Sequence, residues 1–426
     1  MKKIFNKIFR SEFNKNVLIL SSGTAISQFI LVLISPVLTR LYTPEAFGAF
    51  AVFLSITAII GSNINLKYEQ AIMLPKEESD AYKIAYLANY LNFIISLIIF
   101  ICIVIFFDPI ANALNIESSK PIWLYFIPLA TYFIGFNTVL INLNNRFKNY
   151  KSMSGSVVIK NFSMTIVQLL FGFLKLLLDS GLIIGQFVAY ILGNRVLRLN
   201  VSFKYKEMIS YKYKDLKTVL HRYRDFPRYA FPAGLANATT LNISNLLITS
   251  IYSVNDVGQF SLANRIIGAP NVLIAQSVSQ VYYQKACEEI KIRGNCKSIF
   301  LSTLKKLIVL VVPIYIPLIF VSKWIFPFIF GLDWVDAGVF AGFLAILMAV
   351  RFVSSTLSVT INAVEKQKIG LITNIILLFI NLATFGTAYF LKLNILNFII
   401  LYSLSLTVAY AIFLIIYYKI AFCTRQ

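Results

Sequence analysis

The chain is poor in the residues from which catalytic and metal centres are made. Its 426 residues include one histidine, His221, and four cysteines, Cys102, Cys287, Cys296 and Cys423, with no metal-ligand spacing among them. A zinc centre or a histidine-based triad has almost nothing to be built from. Charge is scarce as well: Asp, Glu, Lys and Arg make up 13%, about half the share of a soluble chain. Acids are scarcest, 18 against 39 Lys and Arg. No nucleotide-binding loop, acidic metal motif or large outer domain is evident, which argues against a membrane-embedded polymerase or glycosyltransferase.

What the sequence does hold is apolar. Hydrophobic residues reach 58%, in recurring runs of ~20, each long enough to cross ~30 Å of hydrocarbon. A soluble fold is excluded, and so is a β-barrel, whose strands would be ~10 residues of alternating character. The expected class is an all-α polytopic membrane protein of about twelve transmembrane helices. The spans read as 17–38, 47–66, 84–106, 122–141, 154–174, 180–194, 229–251, 258–281, 307–322, 338–361, 369–390 and 394–416. The sixth and ninth are short, and the ninth is expected to run on through the aromatic stretch Trp324–Phe330, whose rings suit an interface. The basic N-terminal stretch resembles a signal peptide, but the following run is too long and lacks a cleavage site, so it reads as an uncleaved first span.

Basic residues set the orientation. With the N-terminus inside, inner segments hold 31 of the 39 Lys and Arg, outer turns 5 and the spans 3. Both termini are then cytoplasmic, and the net charge of +21 is topogenic, with no nucleic-acid partner implied. The reduced cytoplasm would also keep Cys287 and Cys296 as thiols. The longest loop, Arg195 to Arg228, carries ten basic residues and reads as a linker resting on anionic headgroups.

A hairpin repeats across that linker. Leu38–Phe53 and Ile248–Ala263 lie 210 residues apart, and Thr39, Tyr42, Gly48 and Phe50 recur without gaps as Thr249, Tyr252, Gly258 and Phe260. The offset suggests one six-helix module used twice: a lobe at 1–199, a basic linker at 200–228 and a lobe at 229–426. Six is even, so the halves insert with the same orientation, as a parallel pseudo-twofold repeat.

Three cations lie inside spans, where charge is costly without a cavity or a partner. Arg351 shares a helical stripe with Ser354, Ser355, Ser358 and Asn362; Arg265 with Ser261, Gln276 and Ser279; Lys160 with Ser156 and Ser163. Ser21, Thr24, Gln28 and Ser35 of the first span and Asn237, Thr240 and Ser244 of the seventh add two more polar faces. Together they are expected to line a cationic chamber. All 18 acids fall outside the spans, so the chamber suits an anion such as phosphate or pyrophosphate, which arginine grips with paired hydrogen bonds. Structural bonds to carbonyls remain the alternative for both arginines, and snorkelling to the headgroups the alternative for Lys160. A cation exporter would want acids there instead.

The run SPVLTRLYTPEAFGAFAVF from Ser35, followed by KYEQAIMLP from Lys67, resembles the opening of Wzx-type bacterial oligosaccharide flippases. Pro36, Thr39, Arg40, Tyr42, Pro44, Glu45, Gly48, Tyr68, Glu69, Ala71, Leu74 and Pro75 stand where that pattern puts them, while Lys67 replaces its more usual arginine. The resemblance implies membership of the multidrug/oligosaccharidyl-lipid/polysaccharide exporter superfamily. It implies translocation of undecaprenyl-pyrophosphate-linked repeat units, O-antigen or capsule precursors, across a bacterial inner membrane. The diphosphate would meet Arg351, Arg265, Lys160 and Arg40, with no cofactor and with coupling to protons, sodium or membrane potential left open. The bilayer and the polymerase and chain-length regulator of the same pathway would be its partners. An exporter of another amphipathic anion, or a polymerase of that pathway, remains the alternative.

Overall fold

The structure, a computed structural model, describes residues 12–115, 121–176, 180–199, 201, 213–364 and 366–422, and every regular element among them is helical. The helices are α1 (Glu12–Leu41), α2 (Pro44–Gly61), α3 (Glu78–Ile105), α4 (Ile127–Arg146), α5 (Tyr150–Phe173), α6 (Gly181–Leu199) and α7 (Tyr213–Arg222). They continue with α8 (Phe231–Ile251), α9 (Val254–Pro270), α10 (Gln276–Arg293), α11 (Lys297–Phe330), α12 (Val335–Leu357), α13 (Gln367–Phe390) and α14 (Ile395–Phe422).

Among the described residues, ten helices are long and apolar enough to cross a membrane. The seventh and eighth expected spans are present as α8 and α9, but they are more polar than the rest. In α8 the cause is Asn237, Asn242 and Asn245, and α9 runs on through a π-turn, Asn271–Ala275, into the charged α10. The short ninth span becomes the 34-residue α11, which passes through Trp324–Phe330. Pro313, Pro317 and Pro327 lie inside it, and Pro36 and Pro270 lie inside α1 and α9. Pro128 and Pro232 occupy the first turns of α4 and α8, where a missing N–H costs little.

The repeated hairpin is repeated in its backbone. α1 ends at Leu41 and α2 begins at Pro44; α8 ends at Ile251 and α9 begins at Val254, again 210 residues on. Tyr42 N donates to Leu38 O and Tyr252 N to Ile248 O, both at 2.9 Å. Glu45 at the first turn of α2 is favoured there by the helix dipole.

Two compact units form, Met1–Ile34 with Ala49–Val254, and Ser35–Gly48 with Asn255–Gln426. Helices in lipid gain no hydrophobic drive from meeting, so small residues and polar bonds hold them. The first unit shows this plainly. Asn65 donates to Gly135 O and Thr138 Oγ1, Asn92 to Tyr132 O, Asn137 to Asn194 Oδ1, and Ser156 to Gly193 O, at 2.6–2.9 Å. Its apolar core joins α3 and α4 to the short 3₁₀ turn Tyr68–Met73 and to Val219 of α7. The described part of the basic linker is therefore docked on the lobe through Leu216, Val219 and Leu220. Residues 202–212 of that linker lie outside the described residues.

In the second unit the hub is Trp334, fully buried, whose Nε1 donates to Thr39 O at 3.0 Å. Phe47 meets its ring edge-on at 5.0 Å. Gln259 donates to Asp333 O and accepts from Ala337 N, tying α9 to the start of α12.

Cys296 and Cys287 give the orientation a test. Burial, reinforced by Glu289, pushes the Cys296 thiol up to about 11, so at neutral pH it stays protonated and slow to alkylate. Cys287 is half-buried on α10. An impermeant maleimide should label Cys287 in inside-out vesicles, leave it untouched in intact spheroplasts, and miss Cys296 in both. Labelling of Cys287 from outside would invert the orientation. The expected cytoplasmic Cys423 lies outside the described residues, and Cys102 is exposed near the end of α3.

Candidate functional site

Arg351 sits on α12, half-buried, six residues before the helix ends. Its guanidinium lies over the Tyr410 ring of α14, 5.9 Å from the centroid. Among the described residues no carboxylate or hydrogen-bond acceptor pairs with it. One turn on, Ser354 is buried with its hydroxyl unpartnered. Ser355 reaches Asn271 Oδ1 and its own helix at Phe352 O, both at 3.4 Å, and Ser358 donates to Ser355 O at 2.7 Å. Asn362 is exposed beyond the end of the helix.

Arg265 on α9 is half-buried and likewise without a hydrogen bond or ion pair among the described residues. Two residues on, Ile267 O accepts the phenol of Tyr315 at 3.1 Å, which fastens α9 to α11. The π-turn after Pro270 has a cause in the sequence. Proline supplies no N–H and crowds the carbonyl four residues before it, so the helix loosens into a wider turn. That turn carries Asn271 to Ser355 and joins the stripe of α9 to the stripe of α12. Ser261 donates back to Gly258 O, Ser279 is half-buried, and the side chain of Gln276 lies outside the described ones. Within the second unit, Asn271 of this turn thus meets Ser355 of the Arg351 stripe.

The remaining expected residues lie elsewhere. Lys160 on α5 caps the Tyr190 ring of α6 at 4.8 Å, held beside the close contact of Ser156 with Gly193 O at 2.8 Å. Thr24 and Gln28 are half-buried on α1, Ser244 is buried and Asn237 exposed on α8; all belong to the first unit. The side chain of Ser21 is not among the described ones, and Ser35 is buried. Arg40 is exposed in the last turn of α1, where a cation suits the helix C-terminus.

The motif residues build local structure. Leu66 and Lys67 take left-handed backbone angles, φ 51° and 65°, and Lys67 Nζ donates to Ser62 O at 2.8 Å near the end of α2. The Tyr68 hydroxyl donates to Leu220 O of α7 at 3.2 Å. Arg146 donates to Ile72 O and Pro75 O at 2.9 and 2.8 Å and clamps the loop that follows. Glu69 is buried with Oε2 unpartnered, and burial raises its carboxyl above the usual range although Lys67 opposes this. Pro36, Pro44 and Gly48 shape the hairpin; Pro44 and Gly48 are buried.

Sequence reasoning missed Tyr410, Tyr190 and Asn271. The two tyrosines carry no signal in aromatic-rich spans. Asn271 had one, a proline followed by a polar residue inside an apolar run.

Comparison with known proteins follows the same line. A family model described as "Polysaccharide biosynthesis protein" matches residues 37–339. The succinoglycan biosynthesis transport protein ExoT of Rhizobium meliloti (strain 1021) is 22% identical over 335 residues. That match covers 79% of this chain and 65% of ExoT, so the chain spans less than two thirds of that relative. Among solved structures, the lipid II flippase MurJ in an inward closed conformation aligns with a TM-score of 0.73 at 16% identity. It covers 95% of this chain and 87% of its own. An inward-facing multidrug resistance MATE family transporter aligns at 0.67 and 13% identity, covering 94% of each chain. At these identities the likeness establishes the fold.

Proposed function

This chain belongs to the family of polysaccharide biosynthesis proteins, and from that premise we propose that it is a flippase for a lipid-linked oligosaccharide. Its cargo would be an undecaprenyl-pyrophosphate-linked repeat unit, moved from the cytoplasmic to the periplasmic leaflet of a bacterial inner membrane. The observation that carries this reading is that two half-buried arginines of the second unit, Arg351 and Arg265, have no anion of the protein beside them among the described residues. A charge held inside a span without a counter-ion is costly, and a diphosphate supplies the missing charge with paired hydrogen bonds.

Lys160 of the first unit and Arg40, exposed at a helix end, are the further candidate cations. The sugars would occupy polar surface while the prenyl tail stays in lipid. Passage requires alternating access, with the lobes at 1–199 and 229–426 moving against each other. Chemistry on the cargo is not needed, since transfer between leaflets breaks no covalent bond.

Deletion of the gene separates flippase from polymerase. Loss of a flippase should leave lipid-linked repeat units accumulated on the cytoplasmic face, with little or no exported polymer. Loss of a polymerase would deliver single repeat units to the outer face. Single units on the outer face of the deletion strain would overturn the proposal.

A further inference from the structure

The π-turn opens a groove of about 290 Å³ lined by Asn271, Val272, Ala275, Ser279, Ser355 and Thr356. All six belong to the second unit, and none is charged. Resting on the flippase reading above, we propose that this groove is the subsite for the sugar attached directly to the diphosphate.

Its chemistry is that of a neutral, hydroxyl-rich ligand. Among the described residues, the Asn271 amide nitrogen and the Ser279 hydroxyl have no hydrogen-bond partner. Ser355 is held only by two long contacts of 3.4 Å, so its hydroxyl can turn to a better acceptor. Thr356 is already committed to Phe352 O at 2.6 Å and contributes its methyl. An amide offers a donor and an acceptor side by side, which matches two neighbouring hydroxyls on a sugar ring. Val272 and Ala275 supply apolar wall for the C–H face of the same ring.

Position supports the assignment. Ser355 follows Arg351 by four residues on one helix face, ~6 Å of rise, and Asn271 follows Arg265 by six residues, ~9 Å. The chain reverses after α10 and again after α11, so α9 and α12 run in the same sense. Both arginines therefore stand on the same side of the groove along the helix axes, ~6 and ~9 Å of rise away, a span that a long arginine side chain and a sugar–phosphate ester bridge together. In the proposed orientation the groove lies cytoplasmic of the arginines. The cargo would be held sugar inward and diphosphate towards the bilayer centre.

The test uses the purified full-length protein and two probes, a short prenyl diphosphate and the same molecule carrying one N-acetylhexosamine. Wild type should bind the sugar-bearing probe roughly 10-fold more tightly, a difference of about 1.4 kcal/mol. Asn271→Ala combined with Ser355→Ala should erase that preference while the sugarless probe binds as before. Ser279→Ala removes no hydrogen bond among the described residues, so it should lower the preference without affecting folding. Arg351→Ala should weaken both probes. A preference retained in both groove variants, or absent from wild type while both probes bind, would overturn the subsite and leave the flippase reading standing. Failure of wild type to bind either probe would bring down both.

Discussion

Arg351→Ala is expected to abolish polymer export while the protein remains folded, inserted and abundant. The structure separates these two effects. Arg351 makes no hydrogen bond or ion pair among the described residues, and its guanidinium lies over the face of Tyr410, 5.9 Å from the centroid. A cation over an aromatic ring contributes about 0.5–2 kcal/mol, a loss that the protein should survive. Against a diphosphate the same guanidinium would make charge-assisted bonds of about 1.5–3 kcal/mol each, so affinity should fall by two orders of magnitude or more. Arg351→Lys should keep part of the function, because charge survives and the paired geometry does not. The measurement is exported polymer divided by the amount of variant in the membrane. Normal export by a stable alanine variant would remove Arg351 from the site and leave Arg265 as the second unit's candidate for the diphosphate.

Gly258→Ala should have the largest effect on stability. A Cβ at this position would run into Pro44 O and fall 2.7 Å from Pro44 C, with Gly48 N at 3.1 Å. These are backbone atoms, which cannot rotate out of the way, so the first turns of α2 and α9 would have to part. Overpacking usually costs about 1–3 kcal/mol, and this site should lie at the top of that range. Gly258→Leu should prevent stable insertion. Gly268→Ala is the control: nothing lies within 4 Å of its Cβ position, and alanine favours a helix over glycine by about 1 kcal/mol. Melting of the detergent-solubilised variants decides the matter, and a wild-type melting temperature for Gly258→Ala would show that the contact yields.

These two positions also mark how far the sequence could be read. Arg351 was legible because a charge in an apolar run has few innocent explanations, and Gly258 because it repeats Gly48 at a fixed offset. The helices were legible from their length and apolarity. Tyr410 was not, since periodicity in a uniformly apolar span cannot tell a ring that faces a cation from one that faces lipid. The polar ties Asn137–Asn194 and Asn65–Gly135 depend on which helices meet, information that no single segment holds. The docking of α7 was hidden for a related reason: ten basic residues between 195 and 228 dominate the composition, and only Leu216, Val219 and Leu220 decide where the helix rests. Burial of Glu69 was hidden because the 3₁₀ turn that carries it packs on α3 and α4, which a local stretch of sequence does not show.

The contact of Asn255 Nδ2 with Glu45 Oε1 joins two residues that stand 210 positions apart, the spacing of the repeat itself. A side chain that touches its own counterpart is under a rule that other residues escape. In an ancestral pair of identical half-length chains, position 45 would have faced itself, and two glutamates there would repel while two asparagines would lack a charge to hold. Fusion into one gene lifts that restriction, because each copy can then mutate alone. One acid opposite one amide is a pairing that identical subunits cannot make at a self-facing position, and the single chain makes it.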